Sequence, residues 1–357
     1  MRILITGNMG YVGPAVVRHL RESYPKAELI GLDMGYFAPF LTGAGFLPEC
    51  RVDVQHFGDV RWIAPTILNE VDAVVYLAAI SNDPMGATFE KVTLDVNHKA
   101  AVRLAQYARE MGIRRFIFAS SCSVYGFAEE KEKTEQSPLN PLTAYARSKI
   151  EAEEELSKLA DSDFGVTCMR FSTACGMSER LRLDLVLNDF VASALTAGRI
   201  NILSDGTPWR PLIHIRDMAR AIDWALQRTS RDGGEFLAIN VGSNEWNYQV
   251  RDLAEMVARL VPGVRVEINH NAQPDKRSYR VSFEKFKRLA ASYQPQVDLR
   301  TAIEDLKEGL QKMNFQDSNF RQSHLMRLNV LKQLKQDGHL TEDLTWTGFS
   351  KLRSHGK

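Results

Sequence analysis

Tyr145 and Lys149 are four residues apart in the run Tyr145-Ala-Arg-Ser-Lys149, so on a helix their side chains share one face. An ammonium beside a phenol stabilises the phenolate and lowers the tyrosine pKa toward neutrality, as a tyrosine that takes a proton from an alcohol requires. Ser121 follows the apolar run that ends at Ser120, and its hydroxyl is placed to share the reacting oxygen. Its neighbour Cys122 is a further titratable group, readable as an acid or base or as an inert buried thiol. Tyr-x-x-x-Lys alone is also a common structural pair, so its weight depends on the elements around it.

Those elements begin at the N-terminus. The apolar run Ile3-Leu4-Ile5-Thr6 leads into Gly7-Asn8-Met9-Gly10-Tyr11-Val12-Gly13, and Ala15 to Leu20 then takes up helical periodicity. Strand, tight turn and helix in that order build a phosphate site: glycines let the backbone approach a pyrophosphate, and the helix N-terminus offers free N–H groups. A second apolar run, Glu28 to Asp33, ends in a carboxylate twenty residues after Gly13, where a dinucleotide site needs an acceptor for ribose hydroxyls. A carboxylate there repels a 2′-phosphate, and Met34-Gly35-Tyr36 offers no cation to bind one, so NAD is expected over NADP.

Further strands follow. Asp72 to Ala79 reads as a buried strand ending in Leu77-Ala78-Ala79, small enough to let a flat ligand pass, with a loop from Ile80 to Thr88 at its carboxyl end. Asp59, before Val60, reads either as a contact to the adenine edge or as a helix N-cap. An amphipathic segment runs from Leu94 to Met111, a fifth strand ends at Ser120, and Val166 to Phe171 is the sixth. This alternation predicts an α/β chain: a Rossmann-type doubly wound parallel sheet over residues 1–176, with 205–243 partly returning to it. A smaller C-terminal α+β substrate domain is expected over 177–313, where Leu181 to Ala197 reads as one helix. A helical C-terminal extension follows over 314–357.

Composition narrows the partners. Of 357 residues, 45 are basic and 44 acidic, giving a net charge of +1 without a polybasic stripe, so neither nucleic acid nor an anionic membrane is expected. Four cysteines without a C-x-x-C pair, and scattered histidines, predict reduced thiols and no metal site. The chain opens directly in its first strand, with neither a leader pattern nor a membrane-length apolar run, so a cytoplasmic location is expected.

At these residues the chain resembles the extended short-chain dehydrogenase/reductase superfamily, in its NAD-dependent epimerase/dehydratase group, whose members act on nucleotide sugars. The match comprises Gly7-x-x-Gly10-x-x-Gly13, Asp33, Leu77-Ala78-Ala79, Ser120-Ser121 ahead of Val124-Tyr125-Gly126, and Tyr145-x-x-x-Lys149. It continues through Arg210-Pro-Leu-Ile-His214-Ile-Arg-Asp217 and Asn240-Val-Gly242, and spans about residues 1 to 313. The resemblance implies NAD as cofactor and a nucleotide-diphosphate sugar as substrate. Tyr145 would be the base, Lys149 would hold the nicotinamide ribose, and Ser121 would orient the sugar hydroxyl. Cofactor contacts are further implied at Met9, Tyr11, Val12, Asp59, Val60, Asn97 and Ser120 beside the glycines, Asp33 and the Leu77-Ala78-Ala79 turn. Substrate contacts are implied at Ser81, Ser123 and Thr173, and at Arg277 and Arg280 in place of a family arginine missing near Pro274-Asp275, with Arg210 and Asn188 as candidates for the substrate phosphates. A homodimer is implied through the helices Leu94 to Met111 and Ala144 to Ala160.

Departures from the family pattern guide the choice of reaction. Family dehydratases carry Asp-Glu after the position of Ser121, because elimination needs an acid on the leaving hydroxyl and a base at the neighbouring carbon. Here Cys122 and Ser123 stand there, which argues against a 4,6-dehydratase. Arg170-Phe171-Ser172-Thr173 lacks the family's asparagine at that strand end. The expectation is an NAD-dependent nucleotide-sugar epimerase that oxidises a sugar hydroxyl transiently and reduces it again. The alternative is a reductase of a keto-deoxy nucleotide sugar using the same residues once. A non-catalytic NAD-binding protein would be expected to lose Tyr145 or Lys149, and both are present.

Overall fold

The structure, a computed structural model, describes residues 1–126, 132–269, 271, 272 and 278–348. Six parallel strands come first: β1 (Arg2–Thr6), β2 (Glu28–Asp33), β3 (Val54–Phe57), β4 (Ala73–Tyr76), β5 (Arg115–Ser121) and β6 (Gly165–Phe171). After β7 (Thr173–Cys175), β8 (Arg199–Ile202) and β9 (Trp209–His214), β10 (Phe236–Val241), within the 205–243 stretch expected to return, pairs with β6. The sheet order is β10-β6-β5-β4-β1-β2-β3, a doubly wound α/β sheet whose direction of progression reverses between β1 and β4. Both faces are covered, which is why these strands read as continuous apolar runs. Ile3, Ile5, Val75, Ile117 and Met169 face one core, while Leu4, Val74, Tyr76, Phe116 and Phe118 face the other.

Helices alternate with these strands. α1 (Gly13–Ser23) follows the glycine turn, and short α2 (Asp83–Thr88) and α3 (Glu90–Leu94) follow β4. The predicted long amphipathic segment is broken by a π-helical stretch, Asp95–Ala100, before α4 (Ala101–Glu110). α5 (Ala144–Ser157) carries Tyr145 and Lys149, and the Thr143 hydroxyl caps it by accepting from Ala146 N. The Leu181 to Ala197 reading is corrected: α6 runs only over Val186–Ala197. Residues before it are drawn out of helical geometry because Arg182 pairs with Asp184 and Leu183 N donates to Leu325 O.

Beyond α6 lie α7 (Ile215–Gln227), β11 (Asn247–Gln249), α8 (Val250–Leu260), β12 (Arg265–Ile268), α9 (Glu284–Leu289) and α10 (Leu299–Lys312). They add a three-stranded sheet, β11-β9-β7, and a parallel pair, β12-β8. In the C-terminal extension the helix α11 is limited to Arg327–Gln336, and the segment around it folds back over the carboxyl ends of the main sheet. No helix among the described residues is long and apolar enough to cross a membrane, and no group of three or more metal-ligating side chains is found among them.

Candidate active site

A cleft of ≈ 1020 Å³ opens over the carboxyl ends of the strands, at the reversal between β1 and β4 where open α/β sheets hold their ligands. Gly7, Gly10, Tyr11, Val12 and Gly13 form part of its floor. Gly7 has φ +74°, and a Cβ there would lie 2.6 Å from Ala78 N; a Cβ on Gly13 would lie 2.1 Å from Asn8 O. Only glycine therefore lets the turn pack against the small residues that close β4.

Asp33 closes β2 at the edge of the cleft, with its carboxylate accepting from Met9 N at 3.0 Å and Gly35 N at 2.8 Å. Burial raises its pKa, and those backbone N–H bonds work against that shift. Met9 thus acts through its backbone on Asp33 and is off the cleft wall. Asp59 takes its predicted place as an N-cap and also lines the cleft. It caps the turn Val60–Trp62 by accepting from Arg61 N, pairs with the Arg61 guanidinium at 2.7 Å, and lines the cleft with Val60. Leu77, Ala78 and Ala79 line it as well. Asn97 does not. Its amide holds both N and O of Ile80 and donates to Ser148 Oγ, so it shapes the loop after β4 from behind.

Tyr145, Lys149 and Ser121 meet on the cleft wall. Lys149 Nζ is 5.6 Å from the Tyr145 ring centre, 4.6 Å from that of Phe118, and donates to Ala119 O at 2.7 Å. Burial pulls the Lys149 pKa down to about 7, against the nearby Glu153 charge. Burial also pushes Tyr145 up to about 12, and a hydrogen bond with the Ser121 hydroxyl works in the opposite direction. Ser123 lines the same wall, and its buried Oγ has no hydrogen-bond partner among the described residues.

Cys122 points the other way. It is 1 % exposed in a cluster with Val124, Tyr125, Val281 and Phe283, its thiol donates to Arg170 O, and burial raises its pKa. Ser120 borders the cleft, yet its hydroxyl donates to Glu153 Oε1. Behind it, Glu153 and Arg170 form a buried bidentate pair that continues through Tyr125 to Asn240.

The predicted substrate contacts divide. Thr173 and Arg210 line the cleft, and Arg210 donates to Trp209 O. Asn188 is fully buried off the wall: its carbonyl accepts from Gly176 N, and its NH₂ donates to Tyr11 Oη and Arg182 O. Arg280 is also off the wall, stacked over Trp209 and paired with Glu132, and Arg277 lies outside the described residues. Ser81 is present, accepting from Arg182 Nη1 at 2.8 Å. Sequence reasoning missed Arg182 and Asp184, which join the Ser81-Asn82 loop to the start of α6, and missed Arg321 and Arg327 from the extension. Arg182-Leu-Asp184, a charge pair two residues apart within an apolar run, was the available local signal.

Fold and cleft together define a dinucleotide-binding α/β protein with a tyrosine, lysine and serine centre. The model of the NAD dependent epimerase/dehydratase family matches residues 3–242, and the chain belongs to that family. UDP-glucose 4-epimerase of Streptomyces lividans is 27% identical over 272 residues, covering 72% of this chain and 80% of that protein. UDP-glucose 4-epimerase of Corynebacterium glutamicum is 28% identical over 325 residues, covering 85% of this chain and 94% of that one. Among solved structures, MoeE5 in complex with UDP-glucuronic acid and NAD superposes with a TM-score of 0.74 at 24% identity, over 87% of this chain and 99% of that one. The cofactor is NAD. The residues present fit it: a Cβ-intolerant glycine turn, the Asp33 carboxylate at the end of β2, and small side chains at the end of β4.

Proposed function

We propose that the chain is an NAD-dependent epimerase of a nucleotide-diphosphate sugar. The convergence of Tyr145, Lys149 and Ser121 on the wall of the cofactor cleft carries this reading, beside a Ser123 hydroxyl still lacking a partner among the described residues. NAD, when bound, supplies the acceptor and then the donor of hydride. Tyr145 Oη removes the proton of the sugar hydroxyl and later returns one to the keto oxygen. Ser121, whose hydroxyl hydrogen-bonds Tyr145, orients that oxygen beside the phenol. Lys149 binds the nicotinamide ribose and, when protonated, lowers the cost of the phenolate. Ser123 hydrogen-bonds the sugar, while Thr173 and Arg210 contact the substrate farther along the cleft, Arg210 at its phosphates.

Cys122 has no part in the scheme, because its thiol is buried off the cleft wall and donates to Arg170 O. The chain is also proposed to form a homodimer through the α4 and α5 faces, with a doubled mass in light scattering at micromolar concentration as the expected result. To test the reaction, the NAD-loaded protein is incubated with a panel of nucleotide sugars and followed by NMR, with no added reductant. Conversion of one sugar to its epimer supports the proposal. Conversion that requires stoichiometric NADH would establish the reductase instead.

A further inference from the structure

Residues 321–346 cross the cleft and are pinned on both sides of it. At one side, Arg321 pairs with Asp189 at 2.6 Å. At the other, Trp346 Nε1 donates to Met34 O at 2.7 Å, Tyr36 Oη donates to Leu344 O, and Arg61 Nη2 donates to Thr345 Oγ1. Met34, Tyr36 and Asp59, the partner of Arg61, line the cleft just beyond the ends of β2 and β3. Between these anchors stands Arg327, at the start of α11 and on the cleft wall.

Arg327 is 2 % exposed and has no carboxylate partner among the described residues. Its Nη2 donates to Arg180 O at 2.7 Å, and its guanidinium carbon lies 4.0 Å above the centre of the Phe37 ring. Its Nη1 is buried with no hydrogen-bond partner among the described residues. A buried guanidinium left in this state is costly unless an anion completes it. The neighbouring Arg180 and Arg182 each already hold a carboxylate, Glu49 and Asp184, and Arg180, whose Nε also lacks a partner among the described residues, is off the cleft wall. A short chain of bonds links Arg327 to the glycine turn: Arg327 Nη2 to Arg180 O, Arg180 N to Ser178 Oγ, and Ser178 Oγ to Tyr11 O. The open N–H group is therefore carried on the same hydrogen-bonded framework that holds the turn built for a diphosphate.

We propose that Arg327 binds the diphosphate of the bound dinucleotide, which makes the C-terminal segment part of the cofactor site. A planar guanidinium with one N–H group left over suits a phosphate oxygen. The family match ends at residue 242, so this ligand comes from a part of the chain outside it. The inference does not depend on which sugar is converted or on whether the net reaction is epimerisation.

The test uses the full chain stripped of nucleotide and calorimetric titration with NAD, ADP-ribose, adenosine and UDP. In Arg327→Met, the Kd values for NAD and ADP-ribose rise at least tenfold, whereas those for adenosine and UDP stay within twofold; Arg327→Lys falls between. Unchanged binding of NAD and ADP-ribose overturns the proposal. So does weakened UDP with unchanged NAD, which would put Arg327 on the diphosphate of the sugar substrate. If Arg327→Met does not fold, hydrogen exchange of the wild-type chain decides: ADP-ribose must protect residues 321–336 more strongly than adenosine or UDP does, and equal protection overturns the proposal.

Discussion

Two buried arginines separate the floor of the cleft from its roof. Arg170, beneath the floor on β6, grips Glu153 in a bidentate pair and donates to Tyr125 Oη, and Glu153 raises its pKa. Arg327, in the roof, has only a carbonyl and an aromatic face, and burial lowers its pKa to about 9. Both are almost without exposure, so solvent does not account for the difference. The floor is compensated from within and holds its geometry without ligand. The roof is built around a negative charge that its own side chains do not provide. A variant that removes only the Tyr145 hydroxyl should therefore spare cofactor binding, whereas roof variants should spare the chemistry at Tyr145.

The largest contrast is expected at Tyr145. Tyr145→Phe removes one oxygen and keeps the ring over Lys149, so turnover should fall by about a hundredfold to ten-thousandfold. NAD affinity should stay within a few fold in calorimetry, the reverse of the pattern expected at Arg327. A joint loss of binding and turnover would break the division between floor and roof.

Glu153→Gln tests whether the floor is compensated as described. It leaves Arg170 buried with a neutral partner, and breaking such a pair costs about 3–5 kcal/mol, measurable as a shift in denaturant midpoint. A change under about 1 kcal/mol would mean that Arg170 is satisfied by Tyr125 and backbone alone.

Lys149 supplies a pH signature. Its folded pKa of about 7 lies below its ordinary value of 10.5, so between those limits the unfolded chain binds more protons than the folded one. Stability of the NAD-free protein should therefore rise with pH through that window and carry the full cost of burying the charge below pH 7. Lys149→Met should flatten this slope in denaturation curves recorded between pH 7 and 9. The smallest effect is expected at Cys122: Cys122→Ala should leave turnover within a few fold. A loss comparable to that of Tyr145→Phe would point to proton abstraction at carbon.

Much of the floor was legible because its signals are local. Gly7, Gly10, Gly13 and Asp33 sit at spacings set by one strand, one turn and one helix, and Tyr145 and Lys149 by one helical turn. Side-chain direction was less legible. Asn188 has the right chemistry for a phosphate, but its amide is consumed by Gly176, Tyr11 and Arg182. Arg280 has the right charge, and lies over Trp209. The roof left no local signal at all. Arg327 opens a polar helix like many others, and only the return of the chain across residues 34 to 37 and 178 to 182 gives it a role.

In the proposed epimerisation, hydride leaves one carbon of the sugar and returns to that same carbon from the other face. This transfer is tested most directly by NMR of the NAD-loaded protein with a nucleotide sugar it converts, deuterated at the inverted carbon. The expected product is an epimer that retains deuterium at that carbon, with no build-up of NADH. Loss of the deuterium to solvent, or a product formed only with net consumption of NADH, would contradict it.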